Sequence, residues 1–185
     1  RIRTDIKKFG TGSIYFDGSD SIRWNQNSAQ NEGMIIGTGP FTVEFFVYFD
    51  GDPNNGGTNG QASLIRDGGG NFVIQRYDGE WEVGSEPTPQ IQVATTVANQ
   101  TWLHVALTRD SSSNLKLFID GTQTGSTATS FTTDFDQNKW HLGALNADAS
   151  GGRALTGYMD EIRIIAGVAK YTSNFTAPTQ PFANR

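Results

Sequence analysis

Apolar and polar residues alternate along Trp102-Leu-His-Val-Ala-Leu-Thr-Arg109, so that Leu103, Val105 and Leu107 share one face and Trp102, His104, Ala106 and Thr108 the other. A two-residue period is that of a β-strand, whose successive side chains point to opposite sides of the sheet. Ser111-Ser-Ser-Asn114 then reads as a polar turn into a second alternating run, Leu115-Lys-Leu-Phe-Ile119, which closes on Asp120-Gly121. That dipeptide favours a tight hairpin because glycine takes a positive φ at little cost. Phe41–Phe49 repeats the pattern at greater length, with only Phe and Val at positions 41, 43, 45, 47 and 49, opposite Thr42, Glu44, Phe46 and Tyr48. One face of this strand belongs in the core, and Phe46 and Tyr48 on the other either line the concave sheet or pack beneath a loop, with packing favoured.

The same reading gives a meander over 62–66, 71–77 and 80–83 with turns at Asp67-Gly-Gly-Gly70 and Asp78-Gly79, and further strands at 91–93, within 126–135 and at 139–143. The triple glycine lacks the Lys-Ser/Thr and following helix of a phosphate loop and is assigned to a hairpin. Residues 50–60 and 146–152 are polar and glycine-rich and read as excursions from the sheet. About a dozen strands, with no repeat, charge run or linker, predict an all-β fold, a two-sheet antiparallel β-sandwich forming a single domain over 1–185.

Composition narrows the function more than the fold. The hydrophobic 36% includes 12 Phe, 5 Tyr and 4 Trp, so a few large rings are expected to fill the core, and 22 Gly against 6 Pro suit many tight turns. No cysteine is present, which removes disulfides and Cys-ligated zinc. A net charge of −5 argues against a phosphate-backbone binder, so nucleic acid is not an expected partner. No run approaches the ~18 consecutive apolar residues of a membrane span, and membrane insertion is not expected. Beginning at Arg1 rather than methionine, the chain reads as a piece of a longer protein.

Three blocks carry a family resemblance. Trp102-Leu-His-Val-Ala-Leu-Thr-Arg-Asp110 with Leu115-Lys-Leu-Phe-Ile-Asp-Gly121 resembles the paired strands of laminin-G-like, concanavalin A-like jelly-roll domains, departing at Leu103, where many members carry histidine or glutamine. Gly157-Tyr-Met-Asp-Glu-Ile-Arg-Ile164 is similar to the closing strand of that family and Gly12-Ser-Ile-Tyr-Phe-Asp-Gly18 to its opening strand. Gly167-Val-Ala-Lys-Tyr-Thr-Ser-Asn-Phe-Thr-Ala-Pro178 resembles an ending common in such domains of tailed-phage structural proteins. The resemblance implies a concanavalin A-like jelly roll and a location in the virion, or alternatively secreted and extracellular. It does not fix a function, since the scaffold hosts lectins, glycosidases and assembly modules.

The candidate chemistry is that of binding. A retaining glycosidase needs two carboxylates ~5 Å apart. The related glucanases supply them with E-x-D-x-x-E on one strand; Asp160-Glu161 and Glu80-Trp-Glu82 do not reproduce that array. His104 and His141, each after a tryptophan, are expected to be packed strand residues. Sugar recognition combines an aromatic face with amides and carboxylates that bridge hydroxyls, and Trp24, Asn25, Asn27, Arg76, Tyr77 and Asp78 offer that combination, with Trp81 beside them; Trp102 and Trp140 are expected in the core. Calcium is the candidate cofactor, since a hard cation takes clustered oxygens, and the alternative is that the aspartates beside glycine cap turns by accepting nearby amides. The resemblance makes Asp17 and Asp160 plausible ligands if the opening and closing strands are neighbours, with Asp50, Asp52 and Asn54, or Asp67 and Asn71, as a second possibility. The leading expectation is a non-catalytic carbohydrate-binding or adhesion module of a phage virion structural protein, taking a glycan on a host surface and oligomeric through its parent. The alternative is a virion assembly or decoration domain that binds another virion protein without a glycan site, and a glycoside hydrolase is the remote third.

Overall fold

The computed structural model describes residues 1–25, 36–53, 62–135, 139–145 and 153–183, with the side chains of Trp24, Asn25 and Lys139 excepted. Thirteen strands and no helix occur among them: β1 (Ile2–Arg3), β2 (Ser13–Asp17), β3 (Ile22–Asn25), β4 (Phe41–Phe49), β5 (Ala62–Asp67), β6 (Val73–Tyr77), β7 (Glu80–Gly84), β8 (Pro89–Ala94), β9 (Trp102–Arg109), β10 (Leu115–Ile119), β11 (Thr122–Ala128), β12 (Lys139–Leu142) and β13 (Thr156–Ala166). They form a seven-stranded sheet in the order β1-β2-β13-β4-β9-β10-β11 and a six-stranded sheet in the order β3-β12-β5-β6-β7-β8. Every pairing is antiparallel, and the two sheets face each other as a sandwich.

The alternation read from the sequence sets which side chains meet. Phe41, Val43, Phe45 and Val47 of β4 and Val105 and Leu107 of β9 are buried against Ile74, Trp81 and Val83 of the other sheet. Phe41, Phe72 and Phe135 meet edge to face, with centroids 4.9–5.9 Å apart, the geometry that ring quadrupoles prefer. Trp140 is in this core and Trp102 is not: it shares the face of His104, lies half-buried outside the seven-stranded sheet and packs on Tyr48. Its place in the 102–109 alternation required this. Trp81, considered for sugar contact, is fully buried.

The hairpin turns follow their residues. Asp78-Gly79 has φ of 48° and 79° and Asp120-Gly121 48° and 81°, so both central positions take the positive φ that matches the twist of the flanking strands. The Asp110 carboxylate accepts the Ser112 and Asn114 amides at 2.9 and 3.0 Å and so organises the predicted 111–114 turn.

Segment 167–183 lies across the outer face of the seven-stranded sheet. Thr42 Oγ1 donates to the Val168 carbonyl, Thr108 Oγ1 to the Tyr171 carbonyl, and the Phe175 amide to the Gly121 carbonyl. Beneath it, Glu44 is fully buried. Its carboxylate contacts His104 Nε2 at 3.2 Å and accepts Arg163 Nε at 2.9 Å, the Tyr171 hydroxyl at 2.9 Å and Lys170 Nζ at 3.4 Å. Burial alone raises the Glu44 pKa, but the donors from His104, Arg163 and Tyr171 outweigh it and bring it to about 2. Phe46 packs here against Phe9 and Phe182, as its outward position beneath a covering segment led us to expect. His104, ringed by Tyr171, Phe175 and Phe182, is a packed strand residue.

Candidate functional site

The outer face of the six-stranded sheet carries a continuous polar row over its β6–β8 half. The two-residue turn at Asp78-Gly79 fixes the β6–β7 register, so Gln75 faces Glu82; Ser63 of β5 lies opposite Gln75 and Gln92 of β8 opposite Glu82. Ser63, Gln75, Glu82 and Gln92 therefore form one cross-strand row, graded from fully buried at Ser63 to exposed at Gln92. Gln75 Nε2 donates to Glu82 Oε2 at 2.7 Å and to Glu86 Oε1 at 3.1 Å. Gln92 Nε2 donates to Glu82 Oε1 at 3.2 Å and to Glu80 Oε2.

Loops complete the wall. Glu86, just beyond β7, accepts Arg66 on one oxygen and Arg153 on the other at 2.8 Å. Arg153 also lies 4.5 Å above the Tyr77 ring, a cation–π contact. Gln75, Tyr77, Glu82, Glu86, Pro87, Pro89 and Arg153 enclose a cavity of about 230 Å³. That is smaller than the pockets that engulf drug-sized ligands and suits a group projecting from a longer chain.

Two buried polar atoms in this row have no hydrogen-bond partner among the described residues: the acceptor Gln75 Oε1 and the hydroxyl Ser63 Oγ. The amide orientation is dictated by its neighbours, because reversing it would point the Gln75 oxygen at two carboxylates. A polar atom left so costs roughly 1–3 kcal/mol, so the row stores capacity for a donor brought from outside.

The glutamates diverge in acidity. Burial raises the Glu82 pKa, with Glu80 and Glu86 adding to it against the Gln75 bond and Arg153. Burial acts on Glu86 too, but the bond and charge of Arg66, with Arg153, bring its pKa below the usual range. Sharing the Gln75 amide puts one oxygen of each within about 6 Å, near the spacing of a retaining pair. Glu86, however, is occupied by donors on both oxygens and neutralised by two arginines, which leaves the array suited to hydrogen bonding rather than nucleophilic attack.

Of the six ligand-binding residues expected from sequence, Tyr77 is the one that lines this cavity among the described residues. Asp78 is exposed in the adjoining hairpin turn. Arg76 is buried on the opposite, core side, where its guanidinium donates to the carbonyls of Pro53, Gly79 and Thr95 at 3.3, 2.8 and 3.0 Å over the Trp81 ring. It ties the hairpin to neighbouring loops and is not a ligand contact, a correction that its alternation with Gln75 and Tyr77 explains. Trp24 and Asn25 belong to β3, three strands from β6, which puts roughly 14 Å of sheet between them and Tyr77. The side chains of Trp24 and Asn25, and the whole of Asn27, lie outside the described residues.

The calcium pair is also corrected. β2 and β13 are neighbours, but Asp17 lies opposite Thr156, and the four further residues to Asp160 span about 13 Å of strand. Ligands of one ion, each ~2.4 Å from it, lie within about 5 Å of one another. Asp160 accepts the Lys8, Phe9 and Glu161 amides at 2.9, 3.1 and 2.9 Å, and Asp17 accepts the Ser19 amide and hydroxyl at 3.0 and 2.6 Å. Asp160 ties the backbone of residues 8 and 9 to β13 and Asp17 fastens its own turn, and the two do not fit a shared ion. Asp67 is fully buried, with Asn71 in the turn beyond it, Asp50 accepts Gln100 Nε2 at 3.2 Å, and Asn54 lies outside the described residues. Among the described residues no three His, Cys, Asp or Glu side chains gather as a metal site.

Comparison with known proteins agrees with this architecture. Domain 4 of AbnA, a GH43 extracellular arabinanase from Geobacillus stearothermophilus in complex with arabinotriose, superposes with a TM-score of 0.60 at 18% identity, over 89% of this chain and 74% of that one. Domains LG4-5 of the mouse laminin alpha1 chain give 0.59 at 12% identity, over 94% and 44%. A candidate carbohydrate-binding protein from Bacteroides ovatus ATCC 8483 gives 0.57 at 16% identity, over 82% of this chain, which spans only 42% of that one. Identities this low establish the fold alone. No curated protein sequence matches the chain. A laminin G family model, described as concanavalin A-like lectin/glucanases superfamily, matches residues 16–170, and the chain belongs to that superfamily.

Proposed function

We propose that the domain is a non-catalytic glycan-binding module whose site is the polar row Ser63–Gln75–Glu82–Gln92, together with Tyr77. The observation that carries this reading is Gln75 Oε1, a buried acceptor without a partner, in a row of amides and carboxylates beside an aromatic ring. Sugars present ring C–H surfaces and dense hydroxyl donors, which such a set recognises. The arabinotriose-bound neighbour and the carbohydrate-binding candidate lend support. Single-site affinity would be weak, and display in many copies through a longer virion or secreted parent would supply avidity. The phage-like ending at 167–178 supports the virion setting, which immunolabelling of particles tests.

A glycan array with the domain displayed multivalently, run with calcium and then with chelator, tests the reading. Gln75→Leu and Tyr77→Ala should each abolish the hits. Hits untouched by both variants would refute the site, and a blank array would refute the function. Chelator sensitivity would assign calcium to the binding event, through loops other than the Asp17–Asp160 pair.

One observation favours a second reading, docking to another structural protein. Among the described residues β13 pairs with β2 over 156–159 and with β4 alone over 163–166, and residues 161–165 border a cavity of about 660 Å³. An open edge of this kind can accept a strand from a partner.

A further inference from the structure

We propose that the groove selects a glycan bearing a primary ammonium group, an amino sugar in preference to a neutral or acidic one. This rests on the glycan reading above and adds the ligand's chemical class.

The argument is a balance of donors and acceptors. The cationic groups of the wall are already paired in charge, since Arg66 and Arg153 both bind Glu86, each through one guanidinium nitrogen, and Arg153 covers Tyr77. The amide donors are spent: Gln75 Nε2 serves Glu82 and Glu86, and Gln92 Nε2 serves Glu80 and Glu82. Among the described residues, Gln75 Oε1 and unused lone pairs of the Glu80 and Glu82 carboxylates remain open as acceptors, and the Ser63 hydroxyl as both donor and acceptor. Three carboxylates face two guanidinium groups, and Glu82 has no ion pair among the described residues.

An ammonium group brings three donors, no acceptor and the missing positive charge. A neutral hydroxyl brings one donor with lone pairs of its own. A uronate brings only acceptors and a second negative charge. Charge-assisted hydrogen bonds are roughly twice as strong as neutral ones, which corresponds here to about tenfold tighter binding of the amine than of the matching hydroxyl.

The test compares matched β-1,4-linked tetramers of glucosamine, N-acetylglucosamine and glucose, with a galacturonate tetramer and tetralysine, by calorimetry in buffer acidic enough to protonate the sugar amine. The expected result is glucosamine about tenfold tighter than glucose, a preference that shrinks with added salt, and no detectable galacturonate binding. Glu82→Gln should reduce the glucosamine-to-glucose affinity ratio to about one. Equal or tighter binding of the glucose tetramer would overturn the charge preference while leaving the glycan reading standing. Tetralysine binding as tightly as glucosamine would overturn it as bare charge attraction. Failure of every oligosaccharide would refute the glycan reading and this inference with it. Should Glu82→Gln fail to fold, the salt titration of the unaltered domain decides: a preference that salt does not weaken refutes the ammonium assignment.

Discussion

Glu44→Gln replaces a fully buried carboxylate with an amide of the same shape and removes only the charge and one acceptor. The pKa of Glu44 falls from 4.5 to about 2 on folding, which corresponds to about 3 kcal/mol of stability at neutral pH. Removing one partner from a buried ion pair costs ~3–5 kcal/mol by a separate route, and the two agree. The sign follows from the lowered pKa: the contribution is complete above 4.5 and drains away as pH falls toward 2. Urea unfolding at neutral pH should show the variant less stable by about 3 kcal/mol, and the gap between the proteins should close as both are acidified. Hydrogen exchange should locate the loss, with amides of 167–175 exchanging faster while those of β6 and β7 are unchanged. A variant within ~0.5 kcal/mol of the parent, or one with the same acid dependence, would refute the claim that this carboxylate anchors the segment.

Arg109→Lys should cost about 3 kcal/mol in denaturant unfolding, because the guanidinium donates to the carbonyls of Gly37, Gly39 and Thr133 while lying 5.0 Å from the centroids of both Phe41 and Phe135, a fork and a stack that an ammonium cannot reproduce. Gly121→Ala should lower stability by at least ~2 kcal/mol, since a Cβ there meets the Phe175 carbonyl at 2.0 Å at a φ of +81°; an unchanged melting temperature would contradict the close approach. Glu86→Ala should weaken glycan binding in the array assay by freeing Arg66 and Arg153 from the wall, and should lower the melting temperature by leaving two partly buried guanidinium groups without their carboxylate. Asp17→Asn and Asp160→Asn should melt identically with calcium and with chelator, and a calcium-dependent difference would restore an ion to those residues.

The sandwich was legible because its signals are local. Two-residue alternation in 41–49 and 102–109 sorts core from outer face one residue at a time, and Asp-Gly pairs announce turns whose geometry only such residues tolerate. Half of the site was legible on the same grounds. Given a two-residue turn at Asp78-Gly79, the register forces Tyr77 opposite Glu80, Arg76 opposite Trp81 and Gln75 opposite Glu82, so Gln75 and Glu82 share a face with Tyr77 while Arg76 goes to the core. Proximity along the sequence suggested grouping Arg76 with Tyr77, and the pleat separates them. Glu86, Arg66 and Arg153 converge from a loop, another strand and a segment 67 residues away, and no local pattern encodes such a meeting. The Asp17–Asp160 pairing failed for a related reason: adjacency of strands is readable from motifs, but register decides which residues face each other.

The covered face outside the seven-stranded sheet gives the molecule a front and a back. Phe182 packs on Phe46, at the back, whereas the polar row opens at the front, across the full thickness of both sheets. A ligand held by the row and a partner resting on the 167–183 segment would therefore occupy opposite sides of the molecule, and binding one would leave the approach to the other open.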